Sequence, residues 1–468
     1  MMRRLVLAAA LLAGGCTMGP DYRPPQPAAS ATGGFVGATG ATAPVPDAWW
    51  TLYDDPALDR LVAAAFSANT DLRAAEANLD TARAALAGTR AARLPTTTES
   101  AGTSYGRTST QTQIAGALGR EAKTDWTEAF GGDLAYEVDL FGRIRRSVEA
   151  ARADADAAAA ERDAVRVLVA SETIRAYVSA CAAAYQIDVA KHSAELALEQ
   201  KTIIERSFAA GGTARFDVVR TTTLLAQARA TIPTLEGERR AALFALAAML
   251  GRTPDGVPHE AEVCRRPPEL RQALPVGDGA ALLRRRPDVR LAERRLAAAS
   301  ARIGVAEAEL LPRISLLGSV STAAPAGVSL GTRASTSFGI GPFVSWSFPN
   351  LGAARARVAA ARAEDRAAIA RFDGAVVTAL KEVEQALARY AAALDRAREL
   401  DAAEASARQA FDLARGRRDA GAASQLDLLL SEQTLIEAQA AVAQARAQRT
   451  DLLVTVFKAL GGGWQRSG

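Results

Sequence analysis

Few side chains in this sequence have the types and spacing that catalysis or metal binding requires. The chain contains two histidines, His192 and His259, and three cysteines, Cys16, Cys181 and Cys264. It has neither an HExxH nor a CxxC motif, and it has no GxxxxGK phosphate-binding loop. The sequence therefore argues against an enzyme, and we expect no metal and no cofactor.

Charged side chains are interleaved along the chain rather than clustered. Lysine and arginine total 56 and aspartate and glutamate total 52, which gives a net charge of +4. Most arginines alternate with acidic residues at helical spacing, as in residues 297–309 and 355–365. This pattern is typical of a solvated helix surface, so we do not expect a nucleic acid partner.

Cys16 is the side chain for which the sequence predicts a chemical modification. Residues 1–15 have the order of a secretion signal, with Arg3-Arg4, then an apolar run over 5–13, then Gly14-Gly15. The apolar run is shorter than the roughly 20 residues that a membrane-spanning helix needs. We expect cleavage before Cys16, which becomes a lipidated N-terminus; ordinary signal cleavage nearby is the alternative.

An internal repeat in the sequence predicts how the helices and strands are arranged. Four residues recur at one constant spacing, and Leu94-Pro95 recurs as Leu311-Pro312 at a slightly longer one. The four pairs are Gly142 and Gly352, Gly211 and Gly421, Asp217 and Asp427, and Gly251 and Gly461. Such self-similarity predicts a duplicated structural unit.

The duplication divides the chain into five predicted segments. They are a signal peptide (1–15), an extended lipid-anchored segment (16–53), a first repeat (54–262), a connecting segment expected near mid-length of the molecule (263–281) and a second repeat (282–464). Each repeat should contain a helix, a β-hairpin, a long helix, a turn and a return helix.

The predicted hairpin strands alternate between apolar residues and small or polar ones. The alternation runs through residues 336–348 in the second hairpin, where it ends in aromatics, and through 126–138 in the first. The opening strand, 96–107, is weakly patterned. Soluble sandwich strands alternate too, but aromatic ends and a polar opposite face favour transmembrane barrel strands.

Four such strands cannot close a barrel, because bacterial membrane barrels have at least about eight. An open sheet edge in lipid would leave backbone groups unpaired, at a cost of several kcal/mol each. The chain must therefore oligomerise. Two copies would supply about eight strands, whose side chains fill the interior, and three would supply about twelve, which leave a pore.

The long helices should run between Gly142 and Gly211 and between Gly352 and Gly421. At about 1.5 Å per residue, each would extend roughly 100 Å. Shorter helices return from the turns, and a helix of about 24 residues leads into each hairpin. These lengths predict a tube in which a barrel continues into a helical tunnel, with the glycine turns at the far end.

The turns carry polar side chains with two interpretations. Thr213 and Ser424 are placed to cap the return helices. Asp217 and Asp427 follow at equivalent positions. In an oligomer these aspartates could form carboxylate rings that favour cations, or they could only offset the dipoles of helix N-termini.

Several stretches resemble the TolC-like outer-membrane channels of bacterial tripartite efflux systems, in particular their lipid-anchored, NodT-type branch. The resemblance is strongest over Leu282–Leu316, LLRRRPDVRLAERRLAAASARIGVAEAELLPRISL. It continues in Thr17–Pro24, Tyr136–Arg146, Gly341–Trp346 and Val456–Trp464. It implies a mainly α chain in which three copies contribute four strands each to a membrane β-barrel of about twelve strands, continued by a long α-helical periplasmic tunnel.

The resemblance also implies roles for individual residues. The junctions of barrel and helix would be Pro95, Gly142, Pro312 and Gly352. The tip turns that dock a periplasmic adaptor would be formed by Gly211, Gly212, Thr213, Gly421 and Ser424. Leu426 matches the family's apolar constriction near the closed end of the tunnel. Asp217 and Asp427 are further gate candidates, and Arg418 and Glu432 could substitute where this chain departs from the family's closing network. Relatives often carry Asp where this chain has Leu430, so the closing network is not carried over in detail.

The implied function is that of an exit duct in the outer membrane, lipid-anchored and projecting into the periplasm. It would be a homotrimer that exports small toxic compounds or drugs, opened by the adaptor and powered by an inner-membrane pump. A type I protein-secretion channel shares the fold and is the alternative. A trimeric coiled-coil adhesin would instead have one strand-rich anchor at a chain end. In the oxidising periplasm, Cys181 and Cys264 could form a disulfide or remain two buried thiols.

Overall fold

A computed structural model describes residues 17–37, 43–107, 109–270, 274–325 and 329–462. The predicted signal peptide, Cys16 and Trp464 lie outside the described residues. The longer helices are α1 (Pro56–Ala68), α2 (Thr70–Ala91), α3 (Ser109–Ala117), α4 (Arg143–Ala209), α5 (Arg215–Met249), α6 (Gly279–Arg285), α7 (Pro287–Ala308), α8 (Gly352–Asp419) and α9 (Gln425–Ala459). The strands are β1 (Thr96–Gly106), β2 (Asp125–Val138), β3 (Arg313–Pro325) and β4 (Thr336–Ser345). Short helical turns cover Ala29–Thr32, Trp49–Tyr53 and His259–Glu262.

Each half of the chain contains the helix, hairpin, long helix and return helix that the sequence predicts. The first half supplies α2, β1, β2, α4 and α5, and the second supplies α7, β3, β4, α8 and α9. The short helix α3 between β1 and β2 is an addition that the sequence pattern did not predict. The two halves therefore share one plan and differ in the connection of the hairpin.

The chain forms two compact units. The strand unit takes residues up to Pro25, Leu79–Ala157 and Ala292–Phe372. The helical unit takes Gln26–Asn78, Ala158–Leu291 and the residues from Asp373 onward.

The strand unit contains one antiparallel sheet in the order β1-β2-β3-β4. The two hairpins join between β2 and β3, where Val138 pairs with Ile314. Within the described part of the chain, β1 pairs only with β2 and β4 only with β3. Large apolar side chains point outward from the sheet, and Phe338 is 85% exposed and Ile340 72% exposed. Open edges and an exposed apolar surface are features that a water-soluble sheet avoids.

The core of the helical unit forms around Trp49, which is fully buried. Its indole stacks on the ring of Phe457 in α9, with ring centroids 4.4 Å apart. Leu58 of α1, Ile174 of α4 and Leu246 of α5 belong to the same apolar cluster. One stretch of α4 is apolar enough to cross a bilayer, but 78% of it is buried inside the fold, as expected of a core helix.

Candidate functional site

The turn between α4 and α5 is formed by Gly211 and Gly212. Gly211 has a φ of +73°, a conformation that side chains with a Cβ rarely adopt. The N-cap of α5 is Ala214, which makes no side-chain capping bond. The prediction that Thr213 caps α5 is therefore wrong. Thr213 lies one residue before the cap, and its hydroxyl donates instead to the carboxylate of Asp217 at 2.7 Å.

The equivalent turn between α8 and α9 is capped by side chains. Gly421 has a φ of +74°, and Ser424 is the N-cap of α9. The N–H of Asp427 donates to the Ser424 hydroxyl at 3.1 Å, and the N–H of Ser424 donates to the Asp427 carboxylate at 3.0 Å. The Ser424 hydroxyl also donates to that carboxylate, and these bonds lower the pKa of Asp427. This arrangement is a capping box, which holds Asp427 at the helix start.

Within one chain, both aspartates thus have local partners. Asp217 accepts from Thr213, and Asp427 accepts from Ser424. These contacts favour the interpretation that the aspartates stabilise helix N-termini. Rings of carboxylates would need neighbouring chains and stay a prediction.

Two apolar side chains stand directly before these aspartates. Leu426 is 46% exposed, and Phe216, at the equivalent position of the first repeat, is 71% exposed. Both face solvent in a single chain, so an oligomer would gain by covering them. Of the two, only Leu426 was predicted from the sequence to lie at the gate. The repeat was the signal that could have identified Phe216, because each residue immediately precedes one of the paired aspartates.

The remaining gate candidates are not brought together within one chain. Arg418 pairs with its neighbour Asp419 at 2.5 Å. Glu432 is buried in α9 at 4% exposure, and its Oε1 has no hydrogen-bond partner among the described residues. Burial, with a smaller effect of the Glu199 carboxylate, raises the pKa of Glu432 to about 8. A closing network between chains stays a prediction.

The predicted junction residues lie where strands and helices meet in the strand unit. Pro95 and Pro312 directly precede β1 and β3, Gly142 precedes α4, and Gly352 begins α8. Gly142 has a φ of +79°, and a Cβ at this position would lie 2.4 Å from Cγ2 of Thr17. Both the backbone conformation and the close approach therefore require glycine there.

The start of α4 is capped by Asp139. Its carboxylate accepts hydrogen bonds from the N–H groups of Ile144 at 2.9 Å and Arg145 at 2.8 Å. The second repeat has no aspartate at the equivalent place. This cap is therefore specific to the first junction.

The first described residues of the chain are held by Arg146, a role that the sequence pattern did not indicate. Arg146 is buried and donates to the carbonyls of Met18 and Gly19 at 3.0 and 3.2 Å and to the carboxylate of Asp21 at 2.8 Å. A Cβ at Gly19 would lie 2.4 Å from Cα of Gly304 in α7. The segment is thus fixed to the strand unit by polar contacts and close backbone packing.

Two arginines of the basic cluster before α7 link distant segments of the helical unit. Arg286 is buried and donates to the carboxylates of Asp288 and Glu382 and to a backbone carbonyl at the end of α9. Arg285 donates to backbone and side-chain oxygens of residues 46–47. Burial disfavours the ionised form of Asp288, but the bonds from Arg286 outweigh this effect and its pKa is lowered.

Cys181 of α4 and Cys264 of the connecting segment form a disulfide in the structure. Their Cα atoms lie 5.2 Å apart, and the two residues are separated by 83 positions in the sequence. Cys181 is fully buried in the core of the helical unit. Of the two alternatives left by the sequence, the structure contains the bridge.

Within the described ranges, no group of three or more His, Cys, Asp or Glu side chains could hold a metal ion. Acidic side chains pair with arginines instead. In the strand unit, Arg302 donates to Asp154 at 2.6 Å and Arg362 donates to Glu307 at 2.8 Å.

Known proteins share this arrangement over nearly the full chain. A family model described as "Outer membrane efflux protein" matches residues 61–252 and 280–462. Nodulation protein T of Rhizobium leguminosarum bv. trifolii is 32% identical over 463 residues, which cover 97% of this chain and 96% of that protein. The toluene efflux pump outer membrane protein TtgI of Pseudomonas putida is 30% identical, with 99% of each chain covered.

A solved structure extends the similarity to three dimensions. The outer-membrane channel OprN matches with a TM-score of 0.87 and 35% sequence identity, covering 96% of this chain and 100% of that chain. The match includes both repeats and the sheet. It confirms the predicted fold, a mainly helical chain with two repeats that together supply four membrane strands.

Proposed function

The chain belongs to the outer membrane efflux protein family, and we propose that it is the exit duct of a tripartite system that exports small toxic compounds or drugs. The observation that carries this proposal is a four-stranded sheet with an exposed apolar surface and, among the strands that the structure describes, two open edges. Backbone groups at an open edge cannot remain unpaired in lipid. The sheet must therefore be completed by identical copies.

A homotrimer would complete the barrel. Three copies supply about twelve strands, enough to leave a pore, with β1 of one chain beside β4 of the next. The exposed Phe338 and Ile340 of β4 would then face lipid. The strands would lie in the outer membrane and the helices in the periplasm.

The duct itself would catalyse nothing. An inner-membrane pump would supply the energy, and a periplasmic adaptor would dock on the turns at 211–213 and 421–424 and open them. Both turns are largely exposed, and they have equivalent glycine geometry in the two repeats. Such paired, similar surfaces are suited to a partner that contacts both.

A lipid anchor on Cys16 fits the packing of the residues that follow it. Thr17 lies against Gly142, and Arg146 holds Met18, Gly19 and Asp21 to the strand unit. A lipid attached one residue earlier would therefore be close to the strands that cross the membrane. Replacement of Cys16 by Ser should abolish palmitate labelling while trimers still assemble; persisting label would refute the anchor.

The cargo is tested by deletion of the gene and measurement of growth on dyes, antibiotics and organic solvents. We expect increased susceptibility that the intact gene restores, since an efflux duct removes such compounds from the cell. The name of one relative, a toluene efflux pump protein, supports a small-molecule cargo. Unchanged susceptibility together with retention of a normally secreted protein would overturn the proposal in favour of type I secretion.

A further inference from the structure

A cavity of about 220 Å³ lies between α4, α5 and α9 in the helical unit. Much of its wall is apolar, with Leu224 of α5 and Ile436 of α9 among the contributing side chains. The polar side chains in the wall include Gln200 of α4 and the carboxylates of Glu432 and Glu437. The cavity therefore combines an apolar surface with acidic groups.

Glu432 is the acidic group in this cavity with an unsatisfied oxygen. Its side chain is buried, and its Oε1 accepts no hydrogen bond from any residue that the structure describes. Two neighbouring polar side chains bond elsewhere, because Gln200 accepts from Gln425 at 3.1 Å and Glu437 accepts from the side-chain amide of Gln433 at 2.9 Å. A buried acceptor without a donor is unfavourable, so a ligand that donates to it would be stabilised.

The charged groups that face Glu432 are acidic. Glu199 of α4 acts on it electrostatically, and Glu437 lines the cavity on α9. The side chains that α5 contributes to the wall are uncharged, and among the described lining residues none is a lysine or arginine. The cavity therefore favours a positively charged ligand.

We propose that this cavity binds a small organic cation, an ammonium group attached to an apolar body, with Glu432 as its counter-ion. The ammonium group donates to Oε1 of Glu432, and the apolar body contacts the side chains of Leu224 and Ile436. A hydrated metal ion fits less well, because hard cations need several oxygen ligands and much of this wall is hydrocarbon. The site lies within one chain and does not depend on the proposed export function.

Protonation of Glu432 should couple this binding to pH. Burial and the neighbouring Glu199 raise the pKa of Glu432 to about 8, so without a ligand the side chain is a neutral acid at pH 7. An ammonium group pairs with the ionised carboxylate, so binding below that pH releases a proton. Affinity should rise about tenfold per pH unit from about pH 6 to about pH 8 and level off above it.

Calorimetry on the purified full-length protein in detergent tests the proposal with benzylammonium as the probe. We expect saturable binding that strengthens with pH as described, and a measured heat that depends on the buffer because a proton is released. Benzyl alcohol, which has the same ring and no charge, should bind at least about tenfold more weakly. Glu432→Gln should abolish benzylammonium binding, whereas Glu399→Gln, an exposed acid on α8, should leave it unchanged.

Three results would each overturn the proposal. One is the absence of benzylammonium binding in the wild-type protein, as expected if a neighbouring chain fills the cavity in the assembly. The second is affinity that does not change between about pH 6 and about pH 8, which is measured without any variant. The third is equal binding of the ammonium and the alcohol, which would show that the carboxylate has no part in the site.

Discussion

Ser424 and Thr213 are hydroxyl residues in equivalent turns, yet only Ser424 caps a helix. Ser424 lies one residue closer to its paired aspartate than Thr213 does. That shift lets the Ser424 hydroxyl meet a backbone N–H of the first helical turn, while the Thr213 hydroxyl reaches only the side chain of Asp217. Whether a residue caps a helix depends on where helical backbone angles begin, and that boundary is difficult to predict from the sequence.

Ser424→Ala should therefore destabilise the start of α9 by about 1 kcal/mol. Thr213→Ala, the matched control, removes a side-chain bond outside the helix and should cost less than about 0.5 kcal/mol. Thermal melting of the helical circular dichroism signal compares the two variants. The bonds from Ser424 hold the pKa of Asp427 below its ordinary value. The capping box should therefore stabilise the helix at pH values above the ordinary aspartate pKa, and this stabilisation should be lost as acid protonates Asp427. Equal destabilisation by both variants would contradict this assignment.

The long-range contacts of Arg146 and Arg286 could not be predicted from the sequence. In the sequence they resemble the many arginines of solvated helix faces. Their carboxylate partners Asp21 and Glu382 lie 125 and 96 residues away. Because no local spacing links such partners, the contacts become visible only when the chain is folded.

Arg286→Lys should lower stability by about 2 kcal/mol, although it retains the charge. A lysine ammonium cannot reproduce the planar fork that bonds Asp288, Glu382 and a backbone carbonyl together. Arg284→Lys is the control, because Arg284 belongs to the same basic cluster and is exposed. Melting temperatures of the two variants measure the difference, and a loss of similar size at Arg284 would contradict the role assigned to Arg286.

At the scale of elements, the helices and strands follow the hydrophobic periods of the sequence closely. Helix α7 begins at Pro287 and gives way to β3 at Arg313, where the apolar spacing changes to alternation. Two helices depart from simple sequence rules. Proline removes a helical hydrogen bond and usually ends a helix, yet helix α5 continues through Pro233, whose side chain is exposed. Helix α3 spans only nine residues and contains serine, two threonines and glycine, which are weak helix formers, so it left no clear signal in the sequence.

The faces of β4 provide a test of the barrel strands. Phe338→Lys would place a charge on the proposed lipid face, where the cost rises from at most about 1 kcal/mol at the membrane interface to about 2–4 kcal/mol at the middle of the bilayer. Ser337→Lys on the opposite face of the same strand is the matched control. We expect assembled protein in outer membranes to fall several-fold for Phe338→Lys and to change little for Ser337→Lys. A reversed order would mean that the faces are assigned wrongly.

The disulfide between Cys181 and Cys264 links α4 to the connecting segment over a long loop. Its loss should lower the stability of the helical unit by about 2–4 kcal/mol. Alkylation in denaturant checks the bridge in a Cys16→Ser background, which removes the third cysteine. We expect the thiols to be unreactive until a reductant is added. Full alkylation without reductant would instead support two free thiols.

At the scale of the whole molecule, a single chain has unpaired edges and exposed apolar surfaces that identical copies of the chain would cover. Within the described ranges the sheet has two open edges, and the apolar side chains of Phe216 and Leu426 at the turns are exposed. The number of strands could be counted from the sequence because each half repeats one hairpin. The detailed gate could not be predicted, because Arg418 and Glu432 have no shared contact within one chain, and contacts between copies are not encoded in any local pattern.

The most direct test of this account is the mass of the protein extracted from outer membranes, measured by native mass spectrometry in detergent. Because four strands cannot seal a pore in lipid and the interior of a barrel of about eight strands is filled by side chains, we predict a complex of three chains that falls apart into single chains only on unfolding. A monomer that forms a complete transmembrane cylinder by itself would contradict the account.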